Sequence, residues 1–333
     1  MTIDIRKNII DKYDGISFDL SDWQKVLNES CDIFIAHQKS TVSYFTSYFK
    51  GENLSFILYE NNRPVGIFPI FIYRKNSSWS LGSHGADNLI PPLFVDDLAR
   101  KTRKRLEKTI VDIILTISKL LRVRTVKLSD HGLVLSSWYM LWLEKASRSF
   151  LVYQLVIDLS LSINNIRLGF RKSYKPLVNK ALKEWDISVH EGNIGEIFEE
   201  FRLLHLHVSG KETRTSQTWD IQKTQIENYE AFLVTARNNG VLIGAGLFNY
   251  TKNVGNYSVG AYERELFDRP IGHGIQMKAI ETLKEKGCRI YYLGQKMTLL
   301  DENKPTNKEM SISHFKEGFS EYVLAQPYLE ISL

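Results

Sequence analysis

Arg269-Pro270-Ile271-Gly272-His273-Gly274 is the stretch on which the reading of this chain turns. It stands between a strand-like run, Asn256 to Tyr262, and a helix-like run, Ile275 to Lys286. The pattern is R-x-x-G-x-G at the mouth of a helix. Glycine lets backbone come close to a ligand. The unpaired N–H groups and positive dipole end of a helix start favour phosphate. The glycine spacing is not that of the dinucleotide fingerprint. The plain alternative is a strand-to-helix turn in which glycine serves geometry alone.

The flanks extend the pattern. Phe232 to Thr235 reads as a strand, Asn238-Asn239-Gly240 as a turn, and Val241 to Tyr250 as a second strand. Gly255 to Ala261 is a third strand. Gly287 stops the helix, and Arg289 to Leu293 is another strand. Strand, hairpin, strand, R-x-x-G-x-G, helix, strand resembles the central portion of the GNAT acetyltransferase superfamily. The resemblance implies that Arg269, Gly272, His273 and Gly274 cradle the pyrophosphate of an acyl-coenzyme A, acetyl-coenzyme A in the simplest case. It also implies a backbone donor for the acyl oxygen near Gly260 and Ala261. The tyrosine acid usual after the late strand is not evident; Gly294-Gln295-Lys296 stands there.

The first half of the chain has a similar rhythm. Leu54 to Tyr59 and Val65 to Tyr73 read as a hairpin around Glu60 to Arg63, and Trp79 to Gly82 as a third strand. A basic helix from Leu98 to Leu121 and a strand from Thr125 to Leu128 follow. A degenerate duplication accounts for this order. The boundary is placed at 150, giving a degenerate GNAT-like domain over 1–150 and a donor-binding one over 151–333. The expected fold class is α/β (α+β), with tandem domains and mixed, mainly antiparallel sheets. Tyr153 to Leu159 opens the second half as a strand. A basic helix then runs from Ile163 to Lys183, unless Pro176 limits it or sits in a first turn.

The whole order resembles the Fem-type (FemAB-like) branch of the superfamily. Arg171-Lys172-Ser173-Tyr174 through Ala181 is similar to its basic helix. The run from Leu204 to Gln222 is similar to a substrate-side segment, and His314 to Phe319 to a phenylalanine-lysine turn near the C-terminus. Known members of this branch use charged tRNA, but the glycine loop leans toward a coenzyme A thioester, so acyl-coenzyme A is the expected donor and charged tRNA the alternative. No long helical arm of the kind found in tRNA-using members is present.

Composition narrows the rest. At 333 residues the chain accommodates two domains. A net charge of +5 suits anionic small molecules without requiring nucleic acid. The two cysteines, Cys31 and Cys288, lack metal-ligand spacing and read as reduced packing residues of a cytoplasmic protein. Charges at Asp4, Arg6, Lys7 and Asp11 argue against a signal peptide. The longest apolar stretch, Ile110 to Leu121, carries Asp112 and Lys119 and is too short to span a membrane.

Two polar segments are candidate acceptor sites. In the first, His205 is a candidate base, Arg214 an anion clamp and Trp219 a flat stacking face or a core residue. His205 and His207 are two apart and cannot share a helical face, so no metal is expected. In the second, Ser83 to Asn88, His84 and Asp87 are placed to face an acceptor, or form an Asx-type turn before Pro91-Pro92. The expected activity is N-acyl transfer to an amine, an amino sugar on a nucleotide or lipid carrier being the favoured acceptor. Aminoacyl transfer from tRNA and a non-catalytic binding module are the alternatives.

Overall fold

The computed structural model describes residues 2–85, 87–131, 134–301 and 303–333. The chain divides into two compact units, Met1–Val152 with Gln326–Leu333, and Tyr153–Ala325. Both are α/β with mixed, mainly antiparallel strand pairing. The C-terminal residues count with the first unit, a feature with no local signature in the sequence.

In the first unit, β1 (Phe56–Glu60) and β2 (Arg63–Phe68) form an antiparallel hairpin. Asn61 and Asn62 turn it with φ of +50° and +62°, as two-residue hairpin loops require. The expected strand from Val65 to Tyr73 is interrupted. Pro69 has no N–H for a ladder, and β3 (Phe71–Lys75) belongs to a different sheet, paired with β4 (Ser78–Gly82). Ser55 secures the break: its hydroxyl accepts from the Ile70 N–H at 3.0 Å and donates to the Ile70 carbonyl at 3.2 Å. Helix α1 (Arg100–Leu121) buries Ile110, Ile113, Ile114 and Ile117 completely, the one-face spacing of an amphipathic helix. Each such side chain contributes about 1.5–3 kcal/mol. Strand β5 (Thr125–Ser129) follows and pairs antiparallel with Tyr328–Ser332.

The second unit holds β6 (Arg148–Asp158, from Tyr153 onward), α2 (Tyr174–Glu184), β7 (Asp186–His190), α3 (Gly195–Ser209) and α4 (Ser216–Glu227). Strands β8 (Ala231–Asn238), β9 (Val241–Tyr250) and β10 (Val254–Tyr262) follow. Helix α5 (Ile271–Glu285), β11 (Ile290–Gln295) and α6 (Asn307–Glu317) complete it. The strand order is β7-β8-β9-β10-β11-β6, antiparallel except for β10 with β11.

The expected single basic helix from Ile163 to Lys183 is two helices. Ile163–Gly169 ends where Phe170 turns extended at ψ 148°, and α2 starts at Tyr174 with Pro176 in its first turn. The period-two pattern of β8 sorts the layers. Phe232 and Val234 share a core with Val178, Ala181, Ile271 and Ile275 of α2 and α5. Ala231 and Leu233 share one with Phe198, Phe201 and Trp219 of α3 and α4.

The sheet is parted at one place. β10 and β11 pair only at Val254↔Ile290, Gly255↔Tyr291 and Asn256↔Tyr292. Past those pairs the strands part, leaving a fork. On the β11 side the register against β6 shifts between Tyr292 and Gly294. Gly294 sits there at φ +127°, a conformation reserved for glycine.

Candidate active site at the strand fork

Both glycines of the motif lie inside α5, which begins at Ile271, four residues earlier than its apolar pattern suggests, with Pro270 as the cap. The His273 and Gly274 N–H groups turn back to the Pro270 carbonyl at 3.0 and 3.4 Å. The glycines are needed for packing. A Cβ on Gly272 would stand 2.9 Å from Phe315 Cζ. A Cβ on Gly274 would stand 2.4 Å from Ile187 Cδ1 and 2.9 Å from the Ala181 Cβ. Arg269 is ion-paired with Glu184, and its guanidinium lies 5.1 Å from the centre of the Trp185 ring. His273 is walled by Tyr174 at 4.4 Å, Phe315 at 5.2 Å and Phe319 at 5.7 Å between ring centres. Burial pushes its pKa down to about 4, so it is neutral. The motif thus ties α5 to α2 and α6.

The fork brings a lysine and two tyrosines together. Lys316, from the last turn of α6, reaches into it. Its Nζ is 2.8 Å from the point where Gly294 would carry a Cβ, so any side chain at 294 would displace it. The same ammonium lies 5.0 Å from the centre of the Tyr257 ring. Burial lowers the Lys316 pKa to about 8. The Tyr257 and Tyr262 hydroxyls meet at 2.7 Å. Burial raises the Tyr257 pKa well above its ordinary value and that of Tyr262 to about 12, so both keep their protons and act as donors. Behind them Tyr291 donates to Gln276 Oε1 at 2.7 Å, and Gln276 Nε2 is buried without a partner among the described residues.

Gly260 and Ala261 lie on β10 beyond the fork, paired with Gly246 and Ala245 of β9. Gly260 has no room for a side chain, because the Tyr257 hydroxyl would lie 1.9 Å from its Cβ. On the other face Asn256 donates to Ser258 at 3.1 Å, Ser258 donates to Asn249, and Asn249 donates to Gln225 at 3.1 Å. Gln222 Oε1, on the same helix as Gln225, is buried with no partner among the described residues. The fork is therefore lined with polar groups on both faces of the sheet.

His205, Arg214 and Trp219 do come together, but against one another. Arg214 lies 3.3 Å from His205 Nε2 and 5.3 Å from the Trp219 ring centre. Trp219 is 5% exposed and packs edge-on against Phe198 and Phe201. Burial, then the Arg214 charge, lowers the His205 pKa to about 4, which makes it a weak base. The space beside the cluster is about 10 Å³, room for one water at most. Trp219 takes its core role, on the face of the sheet away from α5. His207 is exposed, 3.6 Å from Glu263.

In the first unit Asp87 is taken up by Tyr73 and Lys75. Burial raises its pKa, but those two partners outweigh burial and hold it low. Ala86 of that loop lies outside the described residues. His84 is in a polar core that the sequence does not announce. Its ring meets Phe45 at 4.9 Å, and it neighbours His37 and His131 closely enough to influence both. Among the described residues no group of three or more His, Cys, Asp or Glu is arranged to hold a metal ion. Cys288 is buried, its pKa raised to about 12 by burial, whereas Cys31 is exposed and is not a packing residue.

Lys316, Tyr257 and Tyr262 escape sequence reading as site residues. The phenylalanine-lysine turn is visible, but only the fold brings it to Gly294.

No family model matches the chain, and no curated protein matches it in sequence. Solved structures do. FemX superposes with a TM-score of 0.64 at 12% identity, covering 92% of this chain and 97% of its own. L-PGS from Bacillus licheniformis superposes at 0.61 and 13% identity, covering 96% and 94%. The C-terminal domain of an Agrobacterium fabrum protein named as a lysylphosphatidylglycerol synthetase gives 0.61 and 11%, covering 93% and 91%. At such identities the likeness concerns the fold alone, which is that of FemX and the two synthetase structures. No helix among the described residues is long and apolar enough to cross a membrane.

Proposed function

We propose that this protein is an N-acyltransferase whose reaction takes place at the fork between β10 and β11. The observation that carries the reading is the half-buried Lys316 ammonium beside Gly294, with the Tyr257–Tyr262 hydroxyl pair next to it. Acyl transfer needs a positive or N–H group where the carbonyl oxygen becomes anionic. Lys316, still mainly protonated at neutral pH with a pKa of about 8, supplies that charge in a water-poor place. The tyrosines, which hold their protons, supply one by hydrogen bond to the departing oxygen or sulfur. The amine acceptor enters neutral and loses a proton to water after attack.

The donor follows from the glycine motif. Phe315, Ala181 and Ile187 occupy the space around Gly272 and Gly274, and Arg269 is held by Glu184. That favours a donor that needs no pyrophosphate cradle, an aminoacyl ester of tRNA. The exposed basic residues Lys172, Lys180 and Lys183 along α2 and just before it, with the half-buried Lys175, suit a polyanion. Two of the structural neighbours bear the name lysylphosphatidylglycerol synthetase or L-PGS, which agrees with aminoacyl chemistry. Acyl-coenzyme A is the second reading. The R-x-x-G-x-G pattern at the start of α5 is what speaks for it. An amino sugar on a nucleotide or lipid carrier is the acceptor class to test first.

The test supplies the full chain with bulk tRNA charged with labelled amino acids, and separately with labelled acetyl-coenzyme A, each with a panel of amino-sugar acceptors. Transfer of label from the tRNA pool, lost in Lys316→Met, supports the favoured reading. Transfer from acetyl-coenzyme A alone establishes the second. A folded protein that transfers from neither, but whose melting temperature one donor raises, would be a binding module, and one that neither donor moves would overturn both enzyme readings.

A further inference from the structure

A groove of about 520 Å³ opens on the first unit, a size typical of small-molecule sites. Three arginines line it: Arg74 from the end of β3, and Arg122 and Arg124 from beyond the end of α1. The Arg74 guanidinium lies 4.2 Å from the centre of the Trp79 ring and donates to the Ser77 carbonyl at 2.8 Å. Ile5 and Leu121, both buried, add apolar wall. Among the described residues no carboxylate pairs with any of the three arginines. Asp4 also lines the groove and has an interaction of its own.

A second observation concerns Arg122. It closes α1 in the left-handed conformation at φ +55°, with the cap N–H bonded to the Lys119 carbonyl at 3.3 Å. Glycine is the usual residue there, because a Cβ is strained in that conformation. A helix C-terminus also disfavours anions by its dipole. Three unneutralised guanidinium groups outweigh that partial charge. A strained backbone that keeps an arginine in place of glycine is the kind of local cost found at ligand sites.

We infer that this groove binds a soluble phosphate ester of a planar ring, the phosphates on Arg122 and Arg124 and the ring against the Arg74–Trp79 pair. Arginine forks match phosphate oxygens two at a time. The Arg74 guanidinium, held over the Trp79 ring, gives the ligand ring a planar partner to stack on. Asn8 and Ser78 are at hand in the lining for hydroxyl groups on the ligand. The inference is independent of the acyl-transfer reading, because no residue of the fork takes part.

Calorimetry on the full chain tests it with adenosine diphosphate, inorganic pyrophosphate and adenosine. Adenosine diphosphate should bind best, pyrophosphate about tenfold more weakly, and adenosine not measurably. Arg122→Gly is the informative variant. It relieves the strained cap, so its melting temperature should equal or exceed that of the parent, while adenosine diphosphate affinity falls about fivefold or more. Arg124→Gln should show the same loss. Undiminished affinity in both variants would overturn the assignment, as would absence of binding to either phosphate probe. Equal affinity for pyrophosphate and adenosine diphosphate would remove the ring from the ligand class. Sedimentation with phosphatidylglycerol vesicles but no adenosine diphosphate binding would show a lipid surface instead.

Discussion

At the residue scale the decisive side chain is Lys316. A surface lysine would be a mobile, hydrated charge. Here burial brings its pKa down to about 8, and Tyr257 offers its ring 5.0 Å away. If this ammonium stabilises the acyl oxyanion, Lys316→Met should lower kcat by about 10²–10³, the usual effect of losing such a donor. KM for the donor should change far less, because the interaction forms in the transition state. The pH dependence has a definite sign. The ammonium is the working form, so kcat should hold below about pH 8 and fall above it as Lys316 deprotonates. A kcat profile flat from pH 7 to well above 9 would exclude Lys316 from the reaction. His205 makes the opposite forecast. With a pKa of about 4 and Arg214 against its Nε2, His205→Ala should leave the neutral-pH limb of the profile in place.

At the scale of elements, the junction of α5 with α2 and β7 distinguishes two uses of glycine. In an open helix, Gly→Ala gains about 0.5–1 kcal/mol from propensity. At position 274 a methyl group would press on Ile187 Cδ1 and the Ala181 Cβ. Gly274→Ala should therefore destabilise, by about 1–3 kcal/mol in urea unfolding, as overpacking does. Adding Ile187→Val removes the nearest clashing carbon and should recover part of the loss. If position 274 served a ligand alone, the single variant would be stabilised and only donor affinity would suffer. The break at Pro69 is the same lesson in a strand. The apolar run from Val65 to Tyr73 is continuous in sequence, yet a residue without N–H divides it between two sheets.

At the scale of the whole molecule, acid sensitivity should come from desolvated histidines in both units, His205 and His273 in the second and a cluster of three in the first. His37, His84 and His131 sit close together, and burial holds their pKa values at about 4, 4 and 3. His37 is fixed in one tautomer: Nδ1 accepts the Phe34 N–H at 3.1 Å, leaving Nε2–H to donate to the Pro91 carbonyl at 3.0 Å. His131 contacts the Gln326 side chain at 2.7 Å through Nδ1. In the unfolded chain these imidazoles titrate near 6.5. Between about pH 6.5 and 4 the unfolded state therefore binds protons that the native state refuses. Stability is full above 6.5 and declines as pH falls, by at most about 1.4 kcal/mol per unit for each group. Thermal melts from pH 8 to 4 should show this slope, and His84→Asn should reduce it. An unchanged slope in that variant would exclude His84 and leave the slope to the remaining histidines, His205 and His273 among them.

The sequence by itself determined the class of fold. Hairpin turns at Asn61-Asn62 and Asn239-Gly240, the stop at Gly287, and the apolar spacing of Ile110 to Ile117 are local signals, and local signals survive in a linear reading. It also determined that Arg269 to Gly274 is a place where side chains are costly. Why they are costly was not legible, since Phe315 lies more than forty positions beyond Gly272 in the chain, and Ala181 and Ile187 more than eighty before Gly274. The same holds for the fork. A strand's partner along part of its length, and the loss of that partner beyond Asn256, is a property of two segments at once. Burial then did what residue type cannot: it brought Lys316 to a pKa of about 8, His205 to about 4, and set Trp219 in a core. Desolvation depends on neighbours from every element at a point in space, and only the folded chain supplies those neighbours.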